Sequence, residues 1–298
     1  MKQLASILAM ALFCLNASAQ NDTLTTKSTD TTVVIVNTTR DTIKIGNVII
    51  IKKGSKRKSA EIIKDTIPKK YSRLTTNWGI VDLGFNNYND QTNYGNVGSY
   101  LVNQPGSPAL GPNDFKLRTG KSVNVNIWFF MQKYDLIKTN VSLKYGLGLE
   151  LNNYRFKSPI SFKEDGIIPY SPTMETTNAP FVFRDSVSFK KNKLAADYIT
   201  IPLMLSFKTN SSKGKPSLSI AFGVSAGYLY SQRNKQVSEA RGKERNRGDY
   251  DLEKFKFSYI GELGLGPIKL YGSYSPKSMF ANEMDFRPYA FGIRLSKF

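Results

Sequence analysis

The sequence contains no histidine and one cysteine, Cys14. Histidine is the commonest general base in proteins, and histidine and thiolate are the usual ligands of zinc. A histidine-dependent catalytic triad and a histidine or thiolate zinc site are therefore excluded. A single cysteine also excludes an internal disulfide scaffold. From this composition we expect a protein that is not an enzyme and that carries no cofactor or metal.

Long apolar runs are missing as well. No segment offers the roughly 18 consecutive apolar residues of a transmembrane helix. The apolar fraction of 40% is low for a membrane protein. A β-barrel is compatible with this fraction, because only alternate residues of its strands need to face lipid.

The N-terminus has the three parts of a secretory signal peptide. Lys2 supplies the positive charge, an apolar run follows over 4–15, and Ala-Ser-Ala at 17–19 forms a cleavage site. We expect residues 1–19 to direct export and to be removed, which leaves 41 basic residues minus 23 acidic ones, a net charge of +18. Export argues against nucleic acid, the usual partner of so basic a chain.

From Trp78 onward apolar and polar residues alternate, the period of a strand with two different faces. Over 141–152 the odd positions are all apolar or aromatic, and the even positions carry serine, lysine, glycine, glutamate and asparagine. Comparable patterns predict eight strands, near 79–85, 123–129, 141–152, 199–207, 218–228, 255–265, 268–275 and 289–296.

The predicted connections alternate between long and short. The long ones cover 87–120, 154–194, 231–253 and 276–286, and the short ones 132–138, 209–216 and 266–267. Long outer loops and short periplasmic turns are typical of membrane barrels. The pattern predicts an all-β fold, an eight-stranded antiparallel up-and-down transmembrane β-barrel over 76–298 in the cell outer membrane.

A soluble lipocalin-like barrel would alternate in the same way, but its polar residues would face outward. Here the polar face is rich in glycine, serine, asparagine and alanine. Small residues of this kind suit the narrow interior of an eight-stranded barrel, which side chains fill. The composition therefore favours polar residues inside and apolar residues facing lipid.

Two strand segments resemble the PorT-like outer-membrane β-barrel family. They are Tyr-Ile-Thr-Ile-Pro-Leu-Met-Leu-Ser-Phe at 198–207 and Ala-Phe-Gly-Val-Ser-Ala-Gly-Tyr at 221–228. The terminal Phe298 is similar to the aromatic C-terminus read by barrel-assembly machinery, although it is out of phase with the apolar face that contains Leu295. The resemblance covers roughly 76–298 and implies an eight-stranded membrane barrel. It implies little about function, because the family is functionally mixed.

Charged residues occur on the polar face of the predicted strands. Carboxylates near cations can perform acid–base chemistry. In a narrow, packed lumen they instead favour a charge-neutralising network that stabilises the barrel and closes it. The residues of this predicted lumen network are Asp82, Lys144, Glu150, Lys256, Glu262 and Arg294.

The third predicted outer loop is strongly basic, with only Glu239 and Glu244 opposing six cations over 233–247. Such a loop could bind lipopolysaccharide phosphates, which arginine contacts bidentately. The alternative is a solvated, mobile loop. The candidate anion-binding residues are Arg233, Lys235, Arg241, Lys243, Arg245 and Arg247.

Residues 20–75 do not alternate over a barrel-length segment, and we predict a basic periplasmic tether, mostly flexible, with a possible short hairpin. Its cations could dock to anionic headgroups or to acidic cell-wall groups. A plain solvated tether is the alternative. The candidate docking residues are Lys52, Lys53, Lys56, Arg57 and Lys58.

The sequence thus predicts a non-enzymatic outer-membrane protein that acts as a structural, surface-binding or assembly- or secretion-associated component. Its expected partners are outer-membrane lipids and lipopolysaccharide, together with a periplasmic or cell-wall partner of residues 20–75. Two alternatives stay open. One is a membrane-embedded lipid-modifying enzyme, which would need an unusual serine or lysine mechanism. The other is a narrow channel.

Overall fold

The computed structural model describes residues 72–137, 139–209, 217–266 and 268–296, together with the strand positions 41–45, 48–52 and 63–64. The chain divides into two units, Met1–Lys70 and Tyr71–Phe298. In the first unit β1 (Asp41–Ile45) and β2 (Val48–Lys52) form an antiparallel hairpin, and β3 (Ile63–Lys64) pairs with β2. The predicted signal peptide and the basic run 53–58 lie outside the described residues.

The second unit is built from strands. They are β4 (Leu74–Asp90), β5 (Leu101–Val102), β6 (Val123–Ile137), β7 (Val141–Arg155), β8 (Ile160–Lys163), β9 (Gly166–Ile167), β10 (Thr176–Thr177), β11 (Phe181–Arg184), β12 (Lys191–Lys208), β13 (Leu218–Ser238), β14 (Gly242–Arg247), β15 (Phe255–Leu265), β16 (Ile268–Tyr274) and β17 (Phe286–Leu295). Short 3-10 helices cover Tyr94–Asn96, Gly98–Tyr100 and Thr119–Lys121. Among the described residues no helix has the length and apolar character needed to cross a membrane.

Eight strands form a closed ring in the order β4, β6, β7, β12, β13, β15, β16 and β17. Each is antiparallel to both neighbours, and β17 returns to pair with β4 in a register that sets Leu295 against Val81. The pairing of β12 with β13 completes the ring. The prediction of an all-β fold is confirmed for the described residues, and the predicted antiparallel pairing is confirmed for the eight strands of the ring.

The ring has apolar side chains outside and polar side chains inside. On β12, Leu203 is 48% exposed, whereas Thr200 and Ser206 are buried. The burial of β7 alternates without a break over its 15 residues. Because successive side chains of a strand point to opposite faces, this alternation fixes which residues can meet inside the ring.

The long connections fold over one end of the ring, which we call the outer end. These segments, 91–122, 156–190, 239–254 and 275–285, form the outer cap. In it β11 runs parallel to β5 and antiparallel to β8, and β9 pairs with β10. Its core is aromatic and buried, and includes Tyr100, Phe115, Phe156, Phe162, Tyr250, Phe280 and Phe286.

The prediction that residues 231–253 form a loop is wrong for 231–238 and 242–247. The strand β13 continues to Ser238 and forms a hairpin with β14. Its inward residues here are polar, such as Asn234 and Gln236, and its outward residues include the cations Arg233 and Lys235. The sequence therefore shows no alternation of apolar and polar residues over 231–238, although successive side chains still point to opposite faces of the strand.

Candidate functional site

Arg294, near the end of β17, lies inside the ring and bonds two carboxylates. Its Nε and Nη2 donate to Asp82 Oδ1 and Oδ2 at 2.7 and 2.8 Å, and its Nη1 donates to Glu262 Oε2 at 2.7 Å. Lys144 Nζ donates to the other oxygen of Glu262 at 2.8 Å. All four side chains are buried, so their charges must balance within the interior. Two cations and two carboxylates achieve this.

A second ion pair joins Lys256 to Glu150. Asn152 Nδ2 also donates to Glu150 Oε1 at 3.0 Å. The structure therefore places all six residues of the predicted lumen network inside the ring. The ion pairs form two sets, one around Arg294 and one around Glu150. Hydrogen bonds through Asn126, Asn124 and Asn152 connect the two sets.

Uncharged side chains complete the interior network. Trp128 Nε1 and Asn126 Nδ2 donate to Asp82 Oδ2 at 2.8 and 3.2 Å. Alternation placed both residues on the polar face, but nothing in the sequence signalled a bond to a carboxylate.

Lys269 is also buried, with Nζ 2.6 Å from Ser296 Oγ. It was missed because alternation is weakest in its strand, β16.

Little space remains between these side chains. A cavity of about 30 Å³ lies beside Trp128, Glu150 and Arg294, room for one or two water molecules. At the outer end the aromatic core of the cap lies over the ring, with Phe286 of β17 and Tyr198 of β12 contributing to it. Among the described residues no cluster of three potential metal ligands occurs.

Bidentate ion pairs join the segments of the outer cap. Arg184 Nη2 donates to both oxygens of Asp114 at 2.9 and 2.8 Å, which ties the second long connection to the first. Arg241 donates through Nη1 and Nη2 to Asp185 at 2.8 and 3.0 Å, which ties the β13–β14 turn to the second connection. These two ion pairs hold the first three segments of the outer cap together.

The predicted anion-binding residues separate into two groups. Five lie on one face of the β13–β14 hairpin, where Arg233 is opposite Arg247 and Lys235 is opposite Arg245. The fifth, Lys243, is opposite Val237. Arg241 lies in the turn and bonds Asp185 instead. The hairpin thus presents a cationic outward face, because the intervening Asn234 and Gln236 are buried on the other side.

The Asp185 pair makes the cap sensitive to acid. Burial raises the pKa of Asp185, but hydrogen bonds from Arg241, the Val187 N–H and Ser161 outweigh it and hold that pKa below the ordinary 3.8. A carboxyl with a depressed pKa stabilises the folded state above its ordinary pKa, and the stabilisation is lost as pH falls through the folded value. We therefore expect the cap to loosen below about pH 3.8.

Hydrogen–deuterium exchange, corrected for the intrinsic pH dependence, measures this at pH 5 and pH 2.5. Amides near 181–190 and 238–242 should lose protection at the lower pH. An Asp185→Asn variant should show the reduced protection already at pH 5, with a smaller further change. Equal protection of the original chain at both pH values would contradict the assignment.

The match to a known family covers most of the ring and its cap. The model of the family described as outer membrane protein β-barrel domain matches residues 72–280. The chain belongs to this family. The ring is therefore the barrel domain of an outer membrane protein, and outer membrane localisation follows from membership. No curated protein and no solved structure is similar enough to match.

Proposed function

We propose that this outer membrane protein is a non-conducting, non-enzymatic surface protein, in which an eight-stranded transmembrane barrel anchors a folded outer cap. The observation that supports the proposal most strongly is the filled interior. Ion pairs around Arg294 and Glu150 cross the lumen, and the cavity enclosed between them holds about 30 Å³. A larger, open pocket of about 790 Å³ lies beside Trp78, Arg294 and Ser296, at the end of the ring opposite the cap, and stops at these ion pairs. A lumen of this kind offers no path for hydrated solutes.

The outward face supports membrane insertion of this barrel. Leu203, Phe222 and Phe257 are 48%, 55% and 58% exposed, on three neighbouring strands. Exposed apolar surface of this extent is unfavourable in water and is stable against lipid tails. Export by residues 1–19, docking through residues 20–75 and membership of the PorT-like group stay predictions within this proposal.

The closed lumen predicts the absence of channel activity. Purified full-length protein in planar bilayers should give no steady single-channel current, because ions would have to displace buried, mutually bonded side chains. The measurement is conductance at increasing voltage, with a porin reconstituted in parallel to show that the assay detects channels. Insertion is verified independently by heat-modifiable gel mobility, since a membrane barrel resists SDS until it is boiled.

Steady current steps from inserted protein would contradict the closed lumen and favour the narrow channel. Soluble, detergent-independent protein without heat-modifiable mobility would contradict the transmembrane barrel itself. Release of altered lipids from defined vesicles would favour the lipid-modifying alternative, and mass spectrometry of the vesicle lipids would detect it.

A further inference from the structure

A row of four cations crosses four neighbouring strands near the outer end of the barrel. Arg155 on β7 is opposite Lys193 on β12, Lys193 is opposite Lys235 on β13, and Lys235 is opposite Arg245 on β14. We call these four residues the cationic ladder. Only Lys235 and Arg245 belong to the basic segment that the sequence singled out, because the other two come from distant parts of the chain.

A second row lies two residues nearer the membrane. There Arg233 on β13 is opposite Arg247 on β14 and Ala195 on β12. The two rows surround a pocket of about 50 Å³ lined by Lys193, Ala195, Arg233, Lys235 and Arg245. Two guanidinium groups and two ammonium groups therefore converge on one concave patch.

Carboxylates neutralise little of the ladder's charge, because Asp197, which interacts electrostatically with Lys193, is paired with Arg233 in the next row. Lys193 bonds the amide oxygen of Asn153, and Arg155 Nη2 donates to a backbone carbonyl at 2.7 Å. In the described part of the chain no ion pair joins any of the four to Asp or Glu, although Arg233 in the next row pairs with Asp197. Like charges directly opposite one another destabilise a sheet. An anion from outside the chain would remove that cost.

The position of the two rows relative to the outward apolar side chains indicates how deep in the membrane these cations lie. On the outward face of β7, Leu151 is the last apolar residue before Asn153 and Arg155. Its partner on β12 is Asp197, which is already polar. Rows on a tilted strand are spaced roughly 5 Å along the barrel axis. On β7, Asn153 in the arginine row and Arg155 in the ladder therefore lie roughly 5 and 10 Å beyond Leu151, within the headgroup region and at its outer edge.

We propose that the cationic ladder, with Arg233 and Arg247, binds the phosphate groups of a phosphorylated lipid in the outer leaflet. Arginine forks match phosphate oxygens bidentately, and long cationic side chains reach toward the interface while their stems remain on apolar surface. The cations continue the outward, lipid-facing side of the strands, and this position favours a lipid headgroup over a soluble anion. This inference rests on the proposed membrane insertion.

The test uses full-length protein in detergent, and native mass spectrometry to count bound lipid. The probes are bisphosphorylated lipid A, dephosphorylated lipid A and inorganic phosphate. The original chain should bind bisphosphorylated lipid A, bind the dephosphorylated form far more weakly, and resist competition by equimolar inorganic phosphate. The variant Lys235→Gln/Arg245→Gln should bind roughly 30-fold more weakly, since each cation near a lipid surface contributes about fivefold and two are removed.

The matched control is Lys163→Gln/Lys277→Gln, which removes the same charge from cap positions outside the ladder. It should bind lipid A as the original chain does. Equal weakening in both variants, equal binding of dephosphorylated lipid A, or displacement by equimolar inorganic phosphate would each overturn the inference. Heat-modifiable mobility is measured on every sample: its loss in the original chain defeats the proposed barrel, whereas folded protein without lipid discrimination defeats only the ladder.

Discussion

Replacing Arg294 with methionine should destabilise the barrel by about 3–5 kcal/mol, the cost of leaving a buried charge without its partner. Methionine fills a similar volume, so the loss comes from charge and hydrogen bonding. Asp82 would keep its bonds from Trp128 and Asn126 but lose Arg294, the one cation that pairs with it in the described part of the chain. Urea unfolding in detergent micelles, followed by tryptophan fluorescence, measures the free energy of unfolding.

Two further variants separate charge from packing. Arg294→Met/Asp82→Asn should recover much of the loss, because Glu262 keeps Lys144 as its cation and no lone charge remains. Arg287→Met removes an arginine from a solvent-accessible pair with Asp285 and should change the free energy of unfolding far less than Arg294→Met does. If the double variant were no more stable than Arg294→Met, charge balance would not be the cause.

Replacing Gly292 with alanine should disrupt the seam between the first and last strands of the ring. An added Cβ would lie 2.2 Å from the carbonyl oxygen of Leu83 and 2.4 Å from the Cα of Gly84. Both are backbone atoms of β4, so the clash can be relieved only by separating paired strands. The expected cost is about 3 kcal/mol or more, at the upper end of overpacking effects.

Gly272→Ala is the matched control for that substitution. It lies on β16, the next strand of the ring, where an added Cβ would meet nothing closer than the carbonyl oxygen of Ala290 at 3.8 Å. We expect a change of about 0.5 kcal/mol or less. The temperature at which the folded gel band disappears compares the two variants. Similar temperatures for both would show that the close approach of β4 to β17 does not limit stability.

Alternation was enough to locate the eight ring strands and the direction of most of their side chains. It did not predict the extension of β6 to Ile137, where a bulge after Trp128 shifts the alternation, or that of β13 to Ser238. A side chain such as Glu262 could be placed inside the ring from parity alone, because neighbours on a strand point to opposite faces. Its partners could not be predicted. Arg294 meets Asp82 only because β17 closes on β4, a pairing of residues far apart in the chain.

The outer cap was not predictable for a different reason. Phe162, Tyr250 and Phe280 pack together in its core, but they lie in short or irregular segments where apolar residues follow no regular period. The cationic ladder could not be predicted from the sequence either. Arg155 and Lys193 are unremarkable in sequence, and only the register of four strands brings them beside Lys235.

Ring closure between Val81 and Leu295 also constrains how the chain can fold. Most neighbouring strands are joined by local connections, but this last seam spans nearly the whole domain, so it carries a large loop-closure entropy and should form late. Until it forms, β4 and β17 each expose an unpaired edge, which is a template for aggregation. Aggregation is therefore most probable before the seam closes, and the yield of folded protein should depend on the rate of closure rather than on the stability of the closed ring.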